Sequence, residues 1–170
     1  MKMGLTGLRQ VCIVTWDLER AERCWSQILG ISAARLKTPL WEDVPSYTDG
    51  MPDGFFQEEF LLYRLENDVI IEIFGPGKHP GNPWRKHLEK HGEGVMNLAF
   101  YVDDERSKAY QRIGTVCEAQ KPYHEGFYPD ASYTFVDTMK ELGVELNIKR
   151  YEDNTELIKR LVSNPSCYEN

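Results

Sequence analysis

GLRQVCIVTWD (residues 7–17) and GVMNLAFYVDD (residues 94–104) decide the fold, because the second is a restatement of the first. Each opens on Gly, carries an amide three places later (Gln10, Asn97), runs through an apolar strand and closes on Asp. A helical pattern follows each copy. After the first, DLERAERCWSQILG repeats Leu18, Ala21, Cys24, Trp25 and Ile28 at helical spacing, with Asp17 suited to cap the start and Gly30 the end. After the second, ERSKAYQRIG is helical. The order strand, helix, strand, strand, strand therefore occurs twice, as expected of a tandem duplication.

Working outward, ISAARLKTP reads as the second strand of the first copy, and residues 55–65 and 68–74 as a hairpin turning at Glu66 and Asn67. Between them WEDVPSYTDGMPDG is dense in Pro, Gly and Asp, shows no periodic element and is long for an internal connection. GPGKHPGNP interrupts the pattern before a short helix in WRKHLEKHG, whose His87 and His91, with His79 upstream, read as surface residues. In the second copy TVCEAQKPY, SYTFVDT and GVELNIKRY read as the remaining strands, with KPYHEGFYPDASY looping between them. The expected organisation is one domain over residues 1–170: a first βαβββ module at 5–76, a linker at 77–93, a second module at 94–151 and a C-terminal extension at 152–170. TELIKRLVSNPSCYEN in that extension is expected to form a last short helix.

Composition narrows the function. Of 170 residues, 41% are hydrophobic and 28% charged, enough apolar side chain for a folded core. Lys and Arg number 20 against 27 Asp and Glu, a net charge of −7 that lacks the basic footprint nucleic acid or an anionic membrane requires. The four cysteines form no CxxC pair, and no stretch approaches the roughly 20 apolar residues of a membrane helix. A cytoplasmic protein with reduced thiols is expected.

Superposing the copies pairs VIIEIF with VELNIK and sets Glu72 opposite Asn147, so Gln10, Glu72, Asn97 and Asn147 hold related places. Alternation puts Gln10 on a face with Cys12 and Val14, Glu72 with Ile70 and Phe74, Asn97 with Ala99 and Tyr101, and Asn147 with Glu145 and Lys149. Polar residues recurring in apolar strands cost stability unless partnered.

These paired modules, with polar residues on first and fourth strands, resemble the vicinal oxygen chelate superfamily. That family contains glyoxalase I, methylmalonyl-CoA epimerase, extradiol dioxygenases and the bleomycin-type antibiotic-binding proteins. The likeness covers roughly residues 5–151 and is strongest in WDLERAERCWSQILGI, VIIEIFGP and HLEKHGEGVMNLAFYVDD. It implies an α+β fold in which two tandem βαβββ modules form a cup-shaped mixed sheet around a ligand, in a chain that pairs as a homodimer. It also implies a divalent metal held by Gln10, Glu72, Asn97 and Asn147. Here the sequence departs from the family, offering two neutral amides where His and Glu are expected; one carboxylate and no imidazole make a weak or vestigial site for Zn, Ni or Co. The alternative is a polar ring bonded within itself or to water. Ferrous ring cleavage, which needs two His and a carboxylate, is disfavoured.

The resemblance further implies that Glu59, or Glu58 given the insertion before it, serves as a base beside a carbonyl. Glu145, on the face of Asn147, is a candidate second acid or base for two-base proton transfer. His124 is a further acid/base candidate in its loop. Tyr63, Phe74, Tyr101 and Tyr128 are expected to bind substrate with Gln10, Asn97 and Asn147, within a wall that also draws on Trp41, Phe55, Phe56, Phe100 and Phe135. An aromatic cup suits a planar or ring-bearing ligand. The leading expectation is an epimerase or isomerase acting α to a carbonyl of a small ring-containing metabolite, with the amides holding the enolate oxygen. The alternatives are a metal-free binding protein that sequesters a drug or metabolite, and a glyoxalase-like lyase.

Overall fold

The computed structural model describes Leu5, residues 7–53 and residues 57–168; Phe55 and Phe56 lie outside that set. Its elements run β1 (Leu8–Val14), α1 (Leu18–Leu29), β2 (Ala34–Lys37), β3 (Ser46–Thr48), β4 (Met51–Pro52), β5 (Glu59–Arg64), β6 (Ile70–Phe74), α2 (Pro83–His91), β7 (Gly94–Tyr101), α3 (Arg106–Ile113), β8 (His124–Tyr128), β9 (Ala131–Val136), α4 (Met139–Leu142), β10 (Glu145–Tyr151) and α5 (Thr155–Ser163). All ten strands join one mixed sheet in the order β2-β5-β6-β1-β7-β10-β9-β8-β3-β4. Each half contributes four strands in the same sense: β1 lies parallel to β6, and β7 parallel to β10, while β1 and β7 meet antiparallel at the centre. This is the vicinal oxygen chelate arrangement.

Strand register repeats as the sequence does. Glu72 stands opposite Cys12, two residues after Gln10, and Asn147 stands opposite Ala99, two residues after Asn97. By the same count Phe74 corresponds to Lys149, Ile70 to Glu145, and Phe60 to Tyr133.

One face of the sheet packs on helices. Leu18, Ala21, Trp25 and Leu29 of α1 cover Leu61, Tyr63, Ile71 and Ile73, the apolar stripe expected of that helix. Asp17 accepts the Arg20 backbone N–H at 2.8 Å and Gly30 closes the helix at φ 69°. The equivalent α3 packs with Val136, Leu146 and Ile148 through Ala109 and Ile113. The other face gathers Cys12, Val14, Phe74, Met96 and Phe135 under Trp84 and Leu88 of α2. Among the described residues, no helix is long and apolar enough to cross a membrane.

Two segments differ from the sequence reading. WEDVPSYTDGMPDG holds the β3–β4 hairpin, and β3 crosses to the second half, pairing Ser46, Tyr47 and Thr48 with Gly126, Glu125 and His124. The second half's own second strand is HEGFY, read as loop from its Gly and flanking Pro, whereas TVCEAQKPY forms no strand. HEGFY is extended because β9 on one side and β3 on the other satisfy its backbone, and Gly126 leaves room for the Tyr133 ring, which any Cβ there would strike. The C-terminal α5 lays Ile158 and Leu161 against Trp41, Tyr47 and Phe127, fastening the inserted hairpin.

Candidate active site

The concave face encloses a cavity of about 870 Å³, counting the part open to solvent. Its aromatic wall includes Trp41, Phe60, Phe74, Trp84 and Phe135; Phe74 stacks on Trp84 at 4.1 Å between centroids and on Phe60 at 4.7 Å. Tyr128 and Tyr133 add phenols. Burial, reinforced by Glu72, pushes Tyr128 up to about 12 and carries Tyr133 well above the usual range, so both remain neutral hydroxyls at ordinary pH.

All four residues in related places, Gln10, Glu72, Asn97 and Asn147, line this cavity. Gln10 Nε2 donates to Glu72 Oε2, and Lys149 Nζ donates to Gln10 Oε1, giving a chain from carboxylate to ammonium across β6, β1 and β10. Burial raises the Glu72 carboxyl, opposed by the Lys149 charge and the Gln10 bond. Asn97 is 0% exposed, and both its Oδ1 and its Nδ2 lack a hydrogen-bond partner; Asn147 Oδ1 is likewise unpartnered. Leaving such groups unpaired costs about 1–3 kcal/mol each, a cost that a polar ligand would relieve.

A second carboxylate enters from the rim. Glu58, just before β5, is 4% exposed, accepts Asn82 Nδ2 at 2.9 Å and the Lys78 backbone N–H at 3.3 Å, and lines the cavity. Asn82 also caps α2, its Oδ1 accepting the Arg85 N–H at 2.6 Å with Pro83 in the first turn, so the helix start and the carboxylate are positioned by one side chain. Gly77, at φ 63°, adjoins both; a Cβ there would collide with the Glu58 carboxyl and the Asn82 amide. The Asn-Pro step that closes GPGKHPGNP, just before WRKHLEKHG, is the available sequence signal for Asn82.

Glu59 points the other way. Its side chain is 50% exposed and lies 3.8 Å from Arg35, so Glu58, not Glu59, meets the cavity. Tyr63 shares that parity: it is buried under α1, with its hydroxyl 3.0 Å from Ser26 Oγ and 3.2 Å from the Glu22 carbonyl oxygen, away from any ligand in the cup. Tyr101 stacks on Tyr151 at 4.2 Å and does not line the cavity, whereas Phe74 and Tyr128 do.

Glu145 is buried but engaged elsewhere. It lies 2.9 Å from His87 Nδ1 and accepts the Tyr123 hydroxyl at 2.5 Å, outside the cavity lining. His87 is thus no surface residue; at 5% exposed it belongs to the inward face of α2 with Pro83, Trp84 and Leu88, a spacing that could have revealed it. His124 is on β8 rather than in a loop, 1% exposed, its Nδ1 2.9 Å from Thr48 Oγ1 and 3.4 Å from Asp53 Oδ2, its Nε2 3.2 Å from Tyr133 Oη. Burial lowers its pKa, opposed by Asp53. It fastens the inserted hairpin to the second half. Asp53 lines the cavity but is occupied by Thr48 and His124.

The divalent ion implied by the resemblance does not suit these residues. Its donor set holds one carboxylate, no imidazole and three amides, and Lys149 already donates to Gln10. Among the described residues no three His, Cys, Asp or Glu side chains converge closely enough to hold an ion.

The sequence matches no protein-family model and no curated protein. Solved structures share the fold. A variant of Streptomyces coelicolor methylmalonyl-CoA epimerase, in complex with 2-nitronate-propionyl-CoA, superposes with TM-score 0.56 at 17% identity, over 86% of this chain and 95% of that one. The Mycobacterium tuberculosis methylmalonyl-CoA epimerase gives 0.54 at 18% identity, over 90% and 93%. A methylmalonyl-CoA epimerase bound to methylmalonyl-CoA and ammonium gives 0.55 at 17%, over 86% and 95%.

Proposed function

From the vicinal oxygen chelate fold and its cavity, we propose an epimerase-type enzyme that moves a proton at the carbon α to a carbonyl of a small molecule. The observation that carries this reading is a buried amide with both polar atoms unpartnered, Asn97, in the same aromatic cavity as two carboxylates, Glu58 and Glu72. Such a cavity pairs groups that take and return a proton with donors for the oxygen on which charge develops.

Glu58 removes the α-proton, held toward the cavity by Asn82 and the Lys78 N–H. The C–H electron pair becomes the enolate π bond and the carbonyl oxygen takes up the charge. The Asn97 amide, with Asn147 beside it, donates to that oxygen. Glu72, whose raised pKa favours its protonated form more than an exposed carboxyl's would, returns a proton to carbon as the electrons move back. The ring or acyl portion of the substrate lies among Trp41, Phe60, Phe74, Trp84 and Phe135, which favours a ring-bearing group. That the neighbours of the same fold are methylmalonyl-CoA epimerases supports the epimerase-type reaction class, while the ring-bearing group rests on the aromatic wall alone.

The test is α-hydrogen exchange in deuterated water with methylmalonyl-CoA and 2-phenylpropionyl-CoA, followed by mass spectrometry and NMR. Deuterium at the α-carbon is expected. Saturable quenching of tryptophan fluorescence by either compound, with no exchange above the solvent rate, would make the protein a binder and sink the enzymatic reading.

A further inference from the structure

The second half of the cup carries a cation that its repeat partner lacks. Lys149 follows Asn147 by two residues on β10 and so shares its face, in the register place that Phe74 holds in the first half. Among the described residues lining the cavity it is the one Lys or Arg, in a wall that also holds Asp53, Glu58 and Glu72. Its ammonium bonds Gln10, and Gln10 bonds Glu72. The two strongest oxygen donors of the implied metal set are therefore joined to a positive charge supplied by the chain itself.

We propose that Lys149 is the resident cation of this cup, excluding divalent ions from the Gln10, Glu72, Asn97 and Asn147 donors and offering its own positive charge to a substrate oxygen. Two physical facts support this. Like charges repel strongly where water is sparse, and a divalent ion on Gln10 and Glu72 would sit within a few ångströms of the ammonium. An ammonium also has three N–H donors, and Gln10 takes one, leaving donors for a ligand. The ligand class follows: a carbonyl compound whose oxygen becomes an enolate, or one bearing a carboxylate, recognised by hydrogen bonds from Lys149 and Asn97 rather than by coordination. The exclusion of ions stands on geometry and charge alone, whereas the offer of charge to an enolate rests on the proton-transfer reading above.

The experiment compares the native chain with Lys149→Glu and Lys149→Met. Each is stripped with chelator, loaded with Mn, Co, Ni or Zn, desalted and assayed for metal by elemental mass spectrometry, with Mn affinity measured by electron paramagnetic resonance. Native protein is expected to retain under about a tenth of an ion per chain. Lys149→Glu adds a carboxylate beside Glu72, completing an oxygen-rich set that should hold about one ion. Lys149→Met removes the positive charge and its bond to Gln10 without adding an oxygen donor, and should bind Mn at least tenfold more tightly than native protein, a comparison that stands if Lys149→Glu does not fold. One ion per native chain overturns the proposal. So does unchanged Mn affinity in Lys149→Met, because something other than Lys149 would then govern ion binding. These readouts need no turnover, so a failure of α-hydrogen exchange leaves them intact and is recognised separately.

Discussion

The two halves of the cup share a backbone and divide the chemistry. At equivalent register places the first half presents Gln10, Glu72, Ile70 and Phe74, and the second presents Asn97, Asn147, Glu145 and Lys149. Among the described residues, every carboxylate lining the cavity, Asp53, Glu58 and Glu72, comes from the first half, and the ammonium comes from the second. Glu145 is the exception that clarifies the rule: it replaces an isoleucine, yet His87 and Tyr123 hold it out of the cavity. The two modules share a symmetric frame, and under the proposed mechanism one wall would handle the proton and the other would hold the oxygen.

The sharpest way to break that division is to remove the rim carboxylate. Glu58→Gln should lower α-hydrogen exchange at least about 100-fold, the lower end of what a positioned general base contributes, while Glu59→Gln, on the opposite face, should leave exchange within about twofold. Equal effects in the two variants, measured at the same pH, would mean that alternation at the start of β5 does not decide which glutamate works.

A smaller effect should appear where the first half's inserted hairpin fastens to the second. His124 is buried with a lowered pKa, so the unfolded chain binds the proton more readily than the folded one. Its contribution to stability is full above the unfolded value near 6.5 and falls as pH drops below it, with a slope of up to about 1.4 kcal/mol per pH unit until the folded group itself titrates. Urea denaturation at pH 7.5, 6 and 5 should show native protein losing more stability than His124→Gln. Parallel curves would remove His124 from the acid response.

The smallest change tests the back of the first half. Tyr63→Phe deletes a hydroxyl bonded to Ser26 and the Glu22 carbonyl, and should cost about 1 kcal/mol in denaturation with exchange unchanged. A loss of exchange at unaltered stability would return Tyr63 to the substrate side.

Much of this was legible in the sequence, and the reasons for the remainder are local. The repeat of Gly, amide, apolar strand and Asp was enough to reveal both modules and to superpose Gln10 on Asn97 and Glu72 on Asn147, because strand pairing preserves period-two spacing. The same parity set Lys149 on the face of Asn147. Whether it would reach across β7 to Gln10 on β1 depends on the curvature of the sheet, which spacing does not carry. Glu58 and Glu59 were separable only once register was known, since the insertion ahead of β5 hides the count. HEGFY read as a loop because its backbone is satisfied by β3, a three-residue strand from the other half whose own sequence, SYT, is too short to show a period. His87 reads as a surface residue in the sequence, although the helical face of Trp84 and Leu88 carries the spacing that marks it as buried, and its pairing with Glu145 is visible only in three dimensions.

In the proposed mechanism the first half's carboxylates and the second half's polar groups act together on one α-carbon. It is tested most directly by incubating chelator-treated native protein with methylmalonyl-CoA and 2-phenylpropionyl-CoA in deuterated water and following the α-carbon by NMR. Deuterium at that carbon is expected, introduced by native protein and lowered at least about 100-fold in Glu58→Gln. Saturable binding of either compound, with no exchange above the solvent rate, would contradict it.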